Sequence, residues 1–162
     1  MEYIPLSWRR KVFRWGFFDH PRYVLTFPDL SLNEISEHHF HFRGLPNEEM
    51  NLMLYVKDRP VRTSDDRRPL ERLKTTIEAR LVGDRGKEIC RGSGQPGPGN
   101  SDGMWVLGER GDESAYWHWR CTHMQVYPNV SYTLTIQVTT PDSKDEKIVV
   151  TPKFEGGGLD LP

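Results

Sequence analysis

The chain has 162 residues, with 22 Lys and Arg against 23 Asp and Glu, so its formal net charge is -1. That balance excludes a global field that would draw the protein to nucleic acid, and a chain of this length builds one domain around one core. Hydrophobic residues at 36% predict a thin core shared with long loops, while an aromatic content of 11% argues against wholesale disorder.

The chain opens on "MEYIPLSWRRKVFRWGFF", a basic and aromatic stretch. It lacks the continuous apolar run of about 7 to 15 residues that a secretory signal needs. The longest apolar run anywhere, Leu52 to Val56, is far below the roughly 20 residues that cross a bilayer as a helix, so neither a signal peptide nor a transmembrane helix is expected in this chain. With Ser7 as N-cap, helical spacing would bring Trp8, Val12 and Trp15 to one side and Arg10 and Arg14 to another. Gly16 and Pro21 keep any such helix short. Residues 1–20 are therefore read as a short helical or extended arm. It either folds over the domain or contacts a partner or a membrane surface through Trp8, Arg10, Arg14 and Trp15.

Strict alternation takes over after the arm. "RYVLTF" near residues 22–27 and "NLMLYVK" at 51–57 read as strands, and between them lies "SEHHFHFRGLP". On a strand, His38, Phe40 and Phe42 share one face and His39, His41 and Arg43 the other. The phenylalanines select the buried side. His39 and His41 then project together with Cα atoms about 6 to 7 Å apart, a spacing at which two imidazoles can share a transition metal. Glu37 lies on the same face, and His118 or His123 would have to arrive from a neighbouring strand to complete a site. His39-x-His41 resembles the metal strand of the cupins in those two residues. Asn33 stands where the cupin pattern has Gly, and Leu45 and Pro46 stand where it has Glu, so the resemblance implies no cupin activity.

"DRPVRTSDDRRPLER", residues 58–72, is charged and bounded by prolines, as an exposed crossover loop would be. "RLKTTIEARLVG" resumes alternation, with Leu73, Thr75, Ile77, Ala79 and Leu81 on the buried side. Gly83 to Gly86 then predicts a tight turn into a short strand at Lys87 to Arg91. The Gly- and Pro-rich "RGSGQPGPGNSDG", residues 91–103, sustains neither helix nor strand.

In "MWVLGE" and "SAYWHWRC" two further strands follow. Alternation puts Trp117 and Trp119 on one face of the second strand and Tyr116, His118 and Arg120 on the other. The Trp face is read as core. The Tyr, His and Arg row makes a platform of the kind that protein hot spots and sugar-binding sheets use. Cys90 and Cys121 sit near the ends of predicted strands, either as a disulfide or as two buried thiols. "NVSYTLTIQVTT" gives the clearest alternation, with Val130, Tyr132, Leu134, Ile136 and Val138 facing inward. Its first three residues, Asn129-Val130-Ser131, match the N-glycosylation acceptor triplet. "KIVVTP" closes the set before a Gly-rich tail that is ordered only where something holds it.

The pattern predicts an all-β, antiparallel sandwich of about eight strands, of jelly-roll or immunoglobulin-like Greek-key topology, over residues 21–154, with a tail at 155–162. The chain shows no phosphate-binding Gly-Lys-Ser/Thr. The expectation is a non-enzymatic binding or assembly module that engages a protein partner, without cofactor or nucleic acid. Its alternatives are a carbohydrate-binding module using Tyr116, Trp117 or Trp119, and a metal-dependent enzyme built on His39, His41 and Glu37.

Overall fold

In a computed structural model of the chain, the described residues are 9–15, 18–60, 65, 72–95, 103–107, 114–119, 121–141 and 147–157. The alternating stretches form strands in two antiparallel sheets. The larger runs in the order β1 (Arg9–Trp15), β2 (Phe18–Thr26), β12 (Val149–Gly157), β5 (Glu48–Pro60), β9 (Ser114–Trp119), β8 (Gly103–Leu107). Two short strands attach to it, β3 (Leu30–Ser31) on β12 and β10 (Met124–Val126) on β5. The smaller sheet runs β4 (Ser36–Arg43), β11 (Ser131–Thr140), β6 (Thr76–Val82), β7 (Glu88–Gly94).

The order resolves the topology. β2 pairs with β12, β4 with β11, β5 with β9, and β6 with β7, so eight strands wind as one long hairpin rolled over itself. That nesting is the jelly roll rather than the immunoglobulin-like alternative. β1, β3 and β10 are additional to the strands legible in the sequence. β1 decides between the helical and extended readings of the arm: Arg9–Trp15 is an extended edge strand in register with β2, from Arg9 opposite Val24 to Trp15 opposite Phe18. Val12, Phe13 and Trp15 fit a pleated surface, and β2 supplies the hydrogen-bonding partner that a single helical turn would lack.

Two prolines sit where their missing N–H is tolerated. Among the described residues β2 pairs with β12 only from Arg22 onward, and Pro21 is opposite Val12 of β1. Pro152 falls between the segment of β12 that pairs with β3 and the segment that pairs with β2, and its carbonyl accepts the Phe27 N–H at 2.9 Å. The stretch expected to be tail is held as far as Gly157, with Gly156 opposite both Tyr23 and Met50.

The faces expected to be inward are buried. Leu73, Thr75, Ile77, Ala79 and Leu81 line one wall, and Tyr132, Leu134, Ile136 and Val138 meet them. At the centre Phe27 packs on Phe40, Phe42 and Phe154 with ring centroids 5.0, 5.4 and 5.3 Å apart, and Phe42 stacks on Tyr132 at 5.8 Å. The space between the sheets is thus filled by aromatic and aliphatic side chains. Cys90 on β7 and Cys121 beyond β9 form a disulfide that joins one sheet to the other. Gly83 to Lys87 closes the β6–β7 hairpin, with the Gly83 N–H on the Lys87 carbonyl at 2.8 Å and Gly86 at φ +73°. No helix among the described residues is long and apolar enough to cross a membrane.

Candidate functional site: the outer face of the larger sheet

Because the interior is packed, chemistry-bearing side chains are carried by the outer faces. On the smaller sheet, the pleat divides the histidine stretch as the sequence predicts. Phe40 and Phe42 point inward, His38 is half-buried with its ring stacked 6.3 Å from that of Phe40, and His39 and His41 point out. Each outward ring is claimed by the adjacent strand. His39 Nδ1 lies 3.1 Å from Thr135 Oγ1 and His41 Nδ1 2.9 Å from Thr133 Oγ1, the residues directly opposite them on β11. The Glu37 carboxylate is 2.7 Å from His39 Nε2. With Nε2–H donating to Glu37, the remaining His39 lone pair is directed at the Thr135 hydroxyl. His118 and His123 do not approach this pair, since His118 is on β9 and His123 precedes β10, both in the other sheet. Among the described residues, no group of three or more His, Cys, Asp and Glu side chains is arranged to hold a metal.

The outer face of the larger sheet presents a denser constellation. Inward Leu52, Leu54 and Val56 on β5 leave Glu49, Asn51, Met53, Tyr55 and Lys57 on the other side, and inward Pro152 and Phe154 on β12 do the same for Thr151, Lys153 and Glu155. Register then builds a grid, with Tyr55 opposite Thr151, Met53 opposite Lys153, and Asn51 opposite Glu155. The Tyr55 hydroxyl reaches diagonally across it to donate to Glu155 Oε1 at 2.8 Å. Lys153 Nζ sits 4.2 Å from the Tyr55 ring centroid, a cation over the π face. Glu155 is only 7% exposed although it belongs to the outer face, so Tyr55 satisfies a carboxylate that little water reaches.

Flanking groups fix both ends of this row. Thr151 Oγ1 donates to Asp29 Oδ1 at 2.6 Å, and Lys57 pairs with Asp29 Oδ2. The Lys57 and Thr151 hydrogen bonds hold the Asp29 carboxyl below its ordinary pKa, against the opposing effect of partial burial. At the other end, the His123 N–H donates to Asn51 Oδ1 at 2.8 Å and His123 Nδ1 is 3.2 Å from Glu49 Oε2. His123 holds φ at +50°, a left-handed conformation that is costly for a non-glycine residue, and the Asn51 hydrogen bond is what pins it there.

The platform expected at "SAYWHWRC" adjoins this grid. Tyr116 is opposite Tyr55 and His118 opposite Met53, whereas Trp117 is opposite the buried Leu54 and Trp119 opposite Gly103. Directly opposed residues share a sheet face, so Tyr116 and His118 occupy positions on the Tyr55 face. Arg120 and Trp8 lie outside the described residues, and Arg10, Arg14 and Trp15 stand on the edge strand β1. Sequence reasoning missed Tyr55, Lys153, Glu155 and Asn51. The available signal was the alternation of "NLMLYVK" and "VVTPKFEGG", which puts each of them on a wet face. No family model matches this chain, and neither a curated protein nor a solved structure matches it.

Proposed function

We propose that the chain is a non-enzymatic jelly-roll module that engages a protein partner through the outer face of its larger sheet. The observation that supports this reading is the Tyr55–Glu155–Lys153 cluster beside Met53, in register with Tyr116 and His118. Tyr and Met are enriched where protein interfaces are buried, and a tyrosine already held by a hydrogen bond and a cation loses little side-chain entropy on docking. Photo-crosslinking from position 53 in the protein's native extract tests the reading. A defined adduct should form, should disappear with Tyr55→Ala plus Lys153→Glu, and should survive Glu78→Lys on the opposite sheet. Adducts indifferent to the Tyr55 and Lys153 changes would overturn it.

A second reading is favoured by one feature. Tyr55 and Tyr116 are neighbours in register, with the Glu155 and Asn51 acceptors nearby, and sugar-binding sheets combine aromatic faces with such acceptors. A glycan panel read by tryptophan emission and thermal midpoint separates the two, since only this reading expects a sugar to move either signal.

A further inference from the structure

Asn129-Val130-Ser131 is placed by the fold at a site that the binding face does not use. Tyr127 to Val130 forms a turn between β10 and β11, with the Val130 N–H donating to the Tyr127 carbonyl at 3.4 Å. The turn is anchored at both ends. The Tyr127 N–H donates at 2.8 Å to the hydroxyl of core residue Tyr132, and the Ser131 N–H donates at 3.1 Å to Asp84 Oδ1. Asn129 and Ser131 are both exposed, and the side chain between them, Val130, is half-buried against the core. The acceptor amide is therefore presented on an anchored turn, and the hydroxyl two residues later on the first residue of β11, opposite Arg43.

Two independent features give this triplet a meaning that the pattern alone lacks. Cys90 and Cys121 are joined, as thiols are in an oxidising route where such acceptors are used. Tyr127 is also one of only two large hydrophobic side chains exposed among the described residues, at 49%, and it lies two positions before the asparagine on the same tip. A tyrosine ring there presents an apolar face to the C–H face of the first sugar, which would cover a ring that is half exposed.

We propose that Asn129 is an N-glycosylation site and that Tyr127 is the residue against which its first sugar packs. In the transfer, Asn129 Nδ2 attacks the anomeric carbon of an oligosaccharide carried on a polyprenyl diphosphate. The N–C bond forms, the C–O bond to the diphosphate breaks, the polyprenyl diphosphate departs, and the amide gives up one proton. The glycan leaves from the end of the sandwich, where it screens the β10–β11 tip and leaves the Tyr55 face open.

Intact mass and peptide mapping of the chain purified from its native source, before and after peptide-N-glycosidase treatment, test this directly. The expected result is a glycan mass on the Asn129 peptide that the enzyme removes, converting the asparagine to aspartate, together with an intact Cys90–Cys121 bond. Asn129→Gln and Ser131→Ala should each abolish the modification, Ser131→Thr should preserve it, and Tyr127→Ala should lower occupancy and remove the rise in thermal midpoint that the glycan confers. Bare Asn129 in a disulfide-bonded chain overturns the site. An unchanged occupancy and midpoint in Tyr127→Ala overturns the packing role.

Discussion

Cys90 and Cys121 hold the two sheets to each other, with Cα atoms 5.5 Å apart at a separation of 31 positions along the chain. Cys121 is fully buried, and its carbonyl accepts the Leu52 N–H at 2.8 Å, so the bond anchors the smaller sheet to the strand that carries the Tyr55 face. The closed loop includes the Gly- and Pro-rich stretch and strands β8 and β9. Loop closure over that length stabilises by about 3 to 4 kcal/mol in the chain-entropy picture. Cys90→Ala plus Cys121→Ala should lower the free energy of unfolding by that amount in denaturant titrations, and a reductant should do the same to the unmodified chain. A loss below about 1 kcal/mol would mean that the unfolded loop is already restricted.

Gly156 and Gly86 are both required, for different reasons, and the two should respond differently to Ala. At Gly156 a Cβ would collide with the Glu49 carbonyl oxygen and Met50 Sδ, because β12 and β5 approach closely there. Gly86 has open space around it but sits at φ +73°. Gly156→Ala is expected to cost about 3 kcal/mol or to push the end of β12 off β5. Gly86→Ala should cost about 1 kcal/mol through backbone conformation alone. Denaturant midpoints of the two variants check the ranking, which is reversed if space rather than conformation is relaxed at Gly156.

How far the sequence could be read follows from the range of each signal. Alternation is local, so the strands around Phe40 and Phe42, Ile77 to Leu81, and Tyr132 to Val138 could be assigned their buried faces, and His39 and His41 their wet one. Strand order is non-local. Nothing in "NLMLYVK" says that β5 lies between β12 and β9, and only that placement sets Tyr55 beside Glu155, 100 residues away in the chain. The arm stayed open between helical and extended for another reason: over eight residues, Trp8, Val12 and Trp15 fit a helical stripe while Val12, Phe13 and Trp15 equally suit a strand, and pairing with β2 decided between them.

Acid should reveal the Asp29 cluster. Its carboxyl is held below the ordinary value first by the Lys57 hydrogen bond and then by that of Thr151. A depressed folded pKa gives stability that is present above the unfolded value and disappears as pH falls through the folded one, so the loss falls below about pH 4. Lys57 and Asp29 are partly exposed, with side chains at 47% and 35%, so solvent screens the pair and the effect is small. Asp29→Asn should flatten the stability profile between about pH 2 and 4 and change it little near neutrality beyond the loss of the ion pair. Glu88 is also lowered, by Arg80 and Arg91, but its side chain too is open to solvent, and high salt should remove most of its contribution. A profile whose acid limb is unchanged in Asp29→Asn would assign that limb to other carboxyls.

Tyr55→Phe separates what the candidate face needs for folding from what it needs for recognition. The ring and the Lys153 cation over it are retained, and only the hydroxyl that donates to Glu155 is lost. Because Glu155 is 7% exposed, water replaces that donor poorly, and the variant should be destabilised by about 1 to 2 kcal/mol. Lys153→Met keeps the alkyl packing and removes the cation, which costs about 0.5 to 1 kcal/mol at a half-exposed site. If the face binds a protein through its aromatic surface, Tyr55→Phe should retain most of the affinity despite its lower stability. Tyr55→Ala should lose both. Equal losses of affinity in the two variants, measured on samples matched for folded fraction, would instead place recognition on the hydroxyl and the carboxylate it orients.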